Sequence, residues 1–143
     1  MNSVEKRLRD CDWVKRNIIE ARLQILEITK GMDVLRDISA MEYSDMPTAK
    51  GVSSIVEAKF ERLQMEIINL QSWNDRLEKY YKQECWINST LDKLPDNQRQ
   101  VVEARAIKGL KWYLVSRATG YSVSQAKRLY YQALSGLSKE SRS

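Results

Sequence analysis

The chain has 143 residues and a mass of 16.7 kDa, enough for one domain or a small domain with an extension, which excludes a large multidomain enzyme. With 43% hydrophobic residues, 30% charged residues, five Gly and two Pro, it is too apolar for a disordered chain and too poor in turn-forming residues for a many-stranded sheet. We therefore expect an all-α fold. The chain has no histidine, which removes the commonest general base and a common zinc ligand.

The formal net charge of +5 is unevenly distributed along the chain. Residues 1–50 hold 9 Lys and Arg against 9 Asp and Glu, and residues 51–91 hold 5 against 6. Residues 92–143 hold 10 against 4. The excess positive charge therefore lies in the last third of the chain, and the rest has the balance of an ordinary solvated helical surface.

Two features predict a soluble, cytoplasmic protein without a membrane segment. Residues 1–10 carry charges of both signs and lack the apolar core of a secretory signal, and no apolar run approaches the ~20 residues that a membrane helix needs.

Cys11 and Cys85 are too few and too far apart for a zinc site. They are expected to be reduced thiols, with a disulfide between them as the alternative.

The first segment carries a seven-residue repeat that predicts a helix with one apolar stripe. Nine of its ten seam positions hold an apolar residue or cysteine; they are Val4, Arg7, Cys11, Val14, Ile18, Ala21, Ile25, Ile28, Met32 and Leu35. Asn2 and Glu5 have the spacing of a capping box at its start. Such a stripe predicts a partner helix that covers it.

Residues 41–53 interrupt this pattern and are predicted to form a loop, because they include Pro47, Gly51 and several small polar residues. Ser54 and Glu57 match the S-x-x-E capping box, so a second helix is expected to begin there and to run to about residue 91. Its predicted seam consists of Val56, Phe60, Leu63, Ile67, Leu70, Asn74, Leu77 and Tyr81.

Two long helices joined by a loop favour an antiparallel, coiled-coil-like hairpin over residues 1–91, although each helix could instead pair with a second copy of the chain. Asn74 in the seam would set the register or the oligomeric state. We expect this region to serve oligomerisation, as a homodimer, or partner binding.

Residues 92–143 show the pattern of a small helical domain with a scaffold helix at its start. Pro95 suits a first helical position, and the negative charge of Asp96 complements the helix dipole there. Apolar residues follow at helical spacing until Gly109 ends the helix.

A helix-turn-helix follows the scaffold helix. Residues 112–118 predict a short helix, and Gly120 supplies the left-handed backbone conformation that a sharp turn needs. Ser122 and Gln125 form an S-x-x-Q capping box. We therefore predict a recognition helix over about residues 122–137.

The predicted recognition helix has an apolar face and a basic, amide-bearing face. The apolar face consists of Ala126, Leu129, Ala133, Leu134 and Leu137. In a major groove, the Gln125 amide can pair with adenine and the Arg128 guanidinium with guanine, whereas Lys111, Arg117 and Lys127 suit phosphates. The predicted contacts to double-stranded DNA are Lys111, Arg117, Ser122, Ser124, Gln125, Lys127, Arg128 and Gln132.

The run from Leu94 to Leu137 resembles the promoter-reading C-terminal region of bacterial sigma factors. The matching motifs are Leu94-Pro95, Arg105, Gly109-Leu110 and Gly120-Tyr121-Ser122. The whole chain, with Met46-Pro47, Val52-Ser53-Ser54 and Glu57, is similar to small phage proteins of the RinA and ArpU type. That resemblance implies a phage late-gene transcription activator that binds DNA and contacts host RNA polymerase.

Nothing in the sequence favours catalysis, a cofactor or a bound metal. Glu57, Glu61 and Glu78 are expected on helix surfaces, where ion pairing explains them, and no Gly-rich phosphate loop is present. We therefore expect a transcription regulator and not an enzyme.

Two other functions stay open at this point. One is a DNA-packaging recognition subunit similar to a small terminase, which would form a closed ring of many copies. The other is a polymerase-binding interaction protein with a degenerate helix-turn-helix. The segment 111–116 leaves the latter open, because it lacks the acidic residues with which such motifs usually begin.

Overall fold

The computed structural model describes residues 3–45 and 50–142, with side chains over 3–36 and 55–140. Within these ranges the secondary structure is helical, without a strand, which confirms the all-α prediction. The helices are α1 (Ser3–Arg9), α2 (Cys11–Asp45), α3 (Lys50–Asp92), α4 (Asp96–Val102), α5 (Trp112–Thr119) and α6 (Val123–Arg142), with a π-helical turn, Glu103–Ile107, directly after α4. None of these helices is long and apolar enough to cross a membrane.

The chain divides into two compact units that differ from the predicted boundary at residue 91. The hairpin unit consists of Asn17–Lys79. The second unit, here called the terminal unit, combines Met1–Arg16 with Tyr80–Ser143. The helix-turn-helix therefore belongs to a unit that also contains both chain ends and the adjoining ends of α2 and α3.

Ring contacts within the terminal unit show that α2 begins beside the end of α3. The ring centroids of Trp13 and Tyr80 are 5.7 Å apart, and the Arg7 guanidinium lies 3.7 Å from the centre of the Trp86 ring. Arg7 comes before Trp13 in the chain, but its partner Trp86 comes after Tyr80. The N-terminal helices α1 and α2 therefore run antiparallel to α3. The predicted hairpin is confirmed.

The predicted seam of the first segment is correct except at Arg7. Each of its nine apolar or cysteine positions is buried or half-buried, whereas Arg7 is exposed. Leu8 takes the core position instead and is fully buried, just before a one-residue interruption at Asp10 that separates α1 from α2. A guanidinium is costly to bury without a partner, which explains the change of register.

The predicted seam of α3 is correct at only three of its eight positions, since Val56, Phe60, Ile67, Asn74 and Tyr81 are exposed. Leu63, Leu70 and Leu77 are half-buried, but Asn74 is exposed and the neighbouring Trp73 is half-buried in its place. The less exposed stripe of the described part of α3 runs through Lys59, Leu63, Glu66, Leu70, Trp73, Leu77, Tyr80, Glu84 and Ile87. The prediction that Asn74 lies in the seam of the hairpin is therefore wrong.

The predicted loop at 41–53 is also wrong over most of its length. Helix α2 continues to Asp45 and α3 begins at Lys50, so Ser54 lies inside α3 and not at its start. Gly51 is helical, which costs only about 1 kcal/mol relative to alanine. Pro47, and the capping residue predicted at Asn2, lie outside the described residues.

Both cysteines are free, and they have different surroundings. Cys11 is buried in the core of the terminal unit, and Cys85 is exposed. Burial raises the pKa of the Cys11 thiol, and the positive charge of Lys15 offsets part of that rise. The thiolate of Cys11 is therefore both inaccessible and disfavoured.

We expect a thiol-reactive reagent to modify Cys85 quickly in the native protein and Cys11 only after denaturation. A Cys85→Ser variant should lose the fast reaction, because Cys85 is the exposed thiol. Stopped-flow absorbance with an aromatic disulfide measures both rates. Equal rates for the two thiols in the native protein would contradict the buried position of Cys11.

Candidate nucleic-acid interface

The turn between α5 and α6 is held by hydrogen bonds on both sides of Gly120. Gly120 has a φ of +79°, its N–H donates to the Ser116 carbonyl at 2.9 Å, and the Ser116 hydroxyl donates to the Tyr121 carbonyl at 2.6 Å. The Ser122 hydroxyl oxygen accepts the Gln125 N–H at 3.2 Å, which satisfies a backbone donor at the start of α6. The predicted glycine turn and the Ser122 cap are confirmed.

The segment before α5 is fixed by a second glycine and by Arg105. Gly109 has a φ of +67°, and the Lys108 N–H donates to the Glu103 carbonyl at 2.9 Å where the π-helical turn ends. The Arg105 guanidinium donates to the Leu110 carbonyl at 2.8 Å. Gly109 therefore ends the helix as predicted. The hydrogen bond from Arg105 connects the π-helical turn to the segment that leads into α5.

Trp112 contacts both Arg105 of the π-helical turn and residues of α6. The Arg105 guanidinium lies 4.7 Å from the centre of its ring, and the Lys127 ammonium lies 5.8 Å away. The ring of Tyr130 meets it edge-on at 5.3 Å. These cation–π and aromatic contacts hold the start of α5 against one side of α6.

The inner face of α6 matches the sequence prediction and includes one further residue. Its buried residues are Ala126, Tyr130, Ala133, Leu134 and Leu137, and Leu129 is half-buried. They belong to one core cluster with residues from α1, α3, α4 and α5, among them Leu8, Ile87, Val101 and Val115. Of the two adjacent tyrosines, Tyr130 is buried and Tyr131 is exposed.

A hydrogen bond connects α6 to α1, 125 residues earlier in the chain. The Tyr130 hydroxyl donates to a Glu5 carboxylate oxygen at 2.8 Å, and Glu5 also pairs with Arg9 at 2.9 Å. Burial, together with the neighbouring Glu5 carboxylate, raises the pKa of Tyr130 to about 12. The sequence analysis predicted no contact between α1 and α6.

We expect this phenol to make the stability of the terminal unit pH-dependent at alkaline pH. The pKa in the folded state, about 12, lies above the ordinary value of 10.0, so the stabilisation is complete below pH 10 and is lost as the pH rises towards 12. Urea unfolding at neutral pH and within this window measures the loss. A Tyr130→Phe variant should be about 1–3 kcal/mol less stable at neutral pH and should lose less on alkalinisation. An equal alkaline loss in both proteins would contradict this assignment.

All eight residues predicted to contact DNA are exposed. Four of them, Ser124, Gln125, Arg128 and Gln132, share one face of α6, opposite the buried face, because Ser124 lies four residues before Arg128, Gln125 three before it and Gln132 four after it. Lys127 lies beside this face, towards Trp112. We call the four residues the outer face of α6.

The remaining three residues lie at the ends of α5 and at the start of α6. Lys111 directly precedes α5, and its carbonyl accepts the Val115 N–H at 2.9 Å. Arg117 lies in the last turn of α5. Ser122 uses its hydroxyl oxygen in the α6 cap, which leaves its hydroxyl hydrogen as the group that can donate to a phosphate.

The electrostatic character of this region is uniformly basic. Residues 104–139 contain seven Lys or Arg residues and no Asp or Glu. Helix α6 has no acidic residue in its first turn, so the partial positive charge of the helix N-terminus adds to the basic side chains. A polyanion is the partner class that this charge favours.

Tyr131 is a surface residue that the sequence prediction left ambiguous. Its ring centroid lies 5.4 Å from that of Tyr130 and 6.4 Å from that of Trp112. The side chain therefore packs against two aromatic rings although more than half of its surface is exposed. The spacing of Ala126, Tyr130, Ala133 and Leu137 was a usable signal, because it places Tyr130 on the buried face and turns its neighbour outward.

The described side chains include no group of three or more acidic or cysteine residues that could hold a metal ion. The exposed side of α6 is a basic helical surface that carries amide, hydroxyl and guanidinium groups. Comparison with known proteins finds no matching family model, no matching curated protein and no matching solved structure.

Proposed function

We propose that the chain is a sequence-specific DNA-binding transcription regulator, an activator of phage late genes, that places α6 in the major groove. The observation that carries this proposal is the outer face of α6, on a helix whose start is capped and whose back is buried. An α-helix with side chains is about 10–12 Å across, which suits a major groove about 12 Å wide.

The chemistry of the outer face is that of base recognition. Arg128 can donate two hydrogen bonds to guanine, and Gln125 can pair with adenine through its amide. Lys111, Arg117 and Lys127 supply phosphate contacts in this proposal, which hold the helix in register without reading sequence. Because 36 consecutive residues contain no carboxylate, nothing in this segment repels the DNA backbone.

The charge of the hairpin unit favours a role other than DNA binding. Residues 17–79 hold 8 Lys and Arg against 11 Asp and Glu, whereas the remaining residues hold 16 against 8. We propose that the hairpin unit mediates self-association, which would present two α6 helices to two half-sites, and that host RNA polymerase is its second partner.

Binding of the full chain to fragments of genomic DNA, followed by sequencing of the bound fraction, tests this function. We expect a short motif to be enriched and the affinity to fall steeply with salt concentration, as phosphate contacts require. Equal recovery of all fragments would contradict sequence-specific binding. Failure to bind DNA at low salt, with retention of RNA polymerase in a pull-down, would favour the polymerase-binding alternative instead.

A further inference from the structure

The outward side of α3 in the hairpin unit carries a stripe without charge. Val56, Phe60, Gln64, Ile67, Gln71 and Asn74 recur at steps of four and three residues, and all six are exposed. The stripe is about 27 Å long at 1.5 Å per residue. It lies next to the half-buried seam of Leu63, Leu70 and Leu77 but is distinct from it.

The composition of this stripe differs from that of a solvated helix face. Five of the 19 residues from 56 to 74 are charged, yet none of the five falls on the stripe, which ends at the next position of the same spacing, Glu78. Phe60 is 58% exposed and Ile67 is 39% exposed. A helix with a second uncharged repeat, half apolar and half amide, beside its half-buried seam has the pattern of a helix that contacts two partner helices.

We propose that this stripe is the surface on which a second copy of the chain packs, α3 against α3. The choice of occupant follows from charge and hydrogen bonding. In a contact between identical faces, a charged residue near the symmetry axis meets its own copy and is repelled, whereas a side-chain amide both donates and accepts and can pair with itself. Phe60 and Ile67 supply apolar area, and Gln64, Gln71 and Asn74 supply self-complementary polar groups.

This inference deepens the self-association part of the proposed function and does not depend on DNA binding. It also assigns a position to Asn74, which is exposed in the single chain. A buried asparagine in a helical interface fixes register at a cost in stability. In this arrangement Asn74 sets the register between two chains and not within one hairpin.

Sedimentation equilibrium of the full chain, with Ile67→Asp and Met65→Asp variants, tests the proposal. Met65 is 58% exposed on the same helix but lies two residues away and thus on another side, so its variant controls for the added charge. We expect the wild type and Met65→Asp to form a dimer of twice 16.7 kDa, and Ile67→Asp to weaken dimerisation about 100-fold.

Circular dichroism verifies that each variant keeps its helices, and Asn74→Lys provides a second substitution on the stripe with the same expected loss of dimer. A wild-type chain that is monomeric at all concentrations would overturn the proposal, as would equal weakening by Met65→Asp. Genomic DNA binding measured on the same samples separates this outcome from failure of the DNA-binding proposal, because a monomer with the outer face intact still binds a single half-site.

Discussion

A Leu8→Ala substitution in α1 is expected to lower the free energy of unfolding of the terminal unit by about 2–5 kcal/mol, although Leu8 is far in sequence from the helix-turn-helix. Leu8 has no exposed surface and lies in the same buried cluster as Val101, Val115 and Tyr130. Truncation leaves a cavity that packed helices refill only in part. The loss would be a large share of the stability of a small domain, about 5–15 kcal/mol.

Hydrogen exchange of the α6 backbone amides, measured by mass spectrometry, reports the loss of stability in the helix that is proposed to bind DNA. Leu8→Ala should accelerate exchange in α6, whereas Leu26→Ala, at a half-exposed site in the hairpin unit, should leave it unchanged. For the same reason a fragment of residues 92–143 is expected not to fold, because it lacks Val4, Leu8 and Ile87. A folded fragment, or unaltered α6 exchange in Leu8→Ala, would contradict the shared core.

The second large effect concerns two neighbouring cations on α6 that the structure places differently. Arg128 lies on the outer face, so Arg128→Ala is expected to cost about 1–3 kcal/mol at the preferred site and to relax the preference at one base pair. Lys127 lies beside that face over Trp112, so Lys127→Ala should weaken binding to all sequences alike and reduce the salt slope by about one unit.

Fluorescence anisotropy with the preferred duplex and a scrambled duplex, over a range of salt concentrations, separates these two roles. Arg22→Ala, which removes an exposed arginine from the hairpin unit, is the matched control and should bind like the wild type. If Arg128→Ala binds both duplexes as the wild type does, the outer face of α6 does not read DNA.

Local features of the helix-turn-helix were predictable because they depend on neighbouring residues. The left-handed backbone at Gly120 and the Ser122 cap each involve contacts within a few positions of the chain. The buried face of α6 follows from helical spacing alone. Such features need no knowledge of the rest of the fold.

Features that depend on distant residues were not predictable in the same way. The hydrogen bond from Tyr130 to Glu5 joins residues 125 positions apart, and no spacing rule connects them. The prediction that Asn74 lies in the seam of α3 was wrong because α3 has apolar residues both in its half-buried seam and in the adjacent exposed stripe. The seven-residue repeat fits either set of positions. Gly51 suggested a loop and Ser54 a helix start, but both lie within α3.

We propose that α6 enters the major groove of a specific DNA sequence. Dimethyl sulfate footprinting on the enriched motif tests it directly, because the reagent methylates guanine N7 in the major groove and adenine N3 in the minor groove. We predict protection of guanine N7 by the wild type and its loss at one guanine in Arg128→Ala. Binding that leaves every guanine N7 reactive, or that protects adenine N3 alone, would contradict the claim.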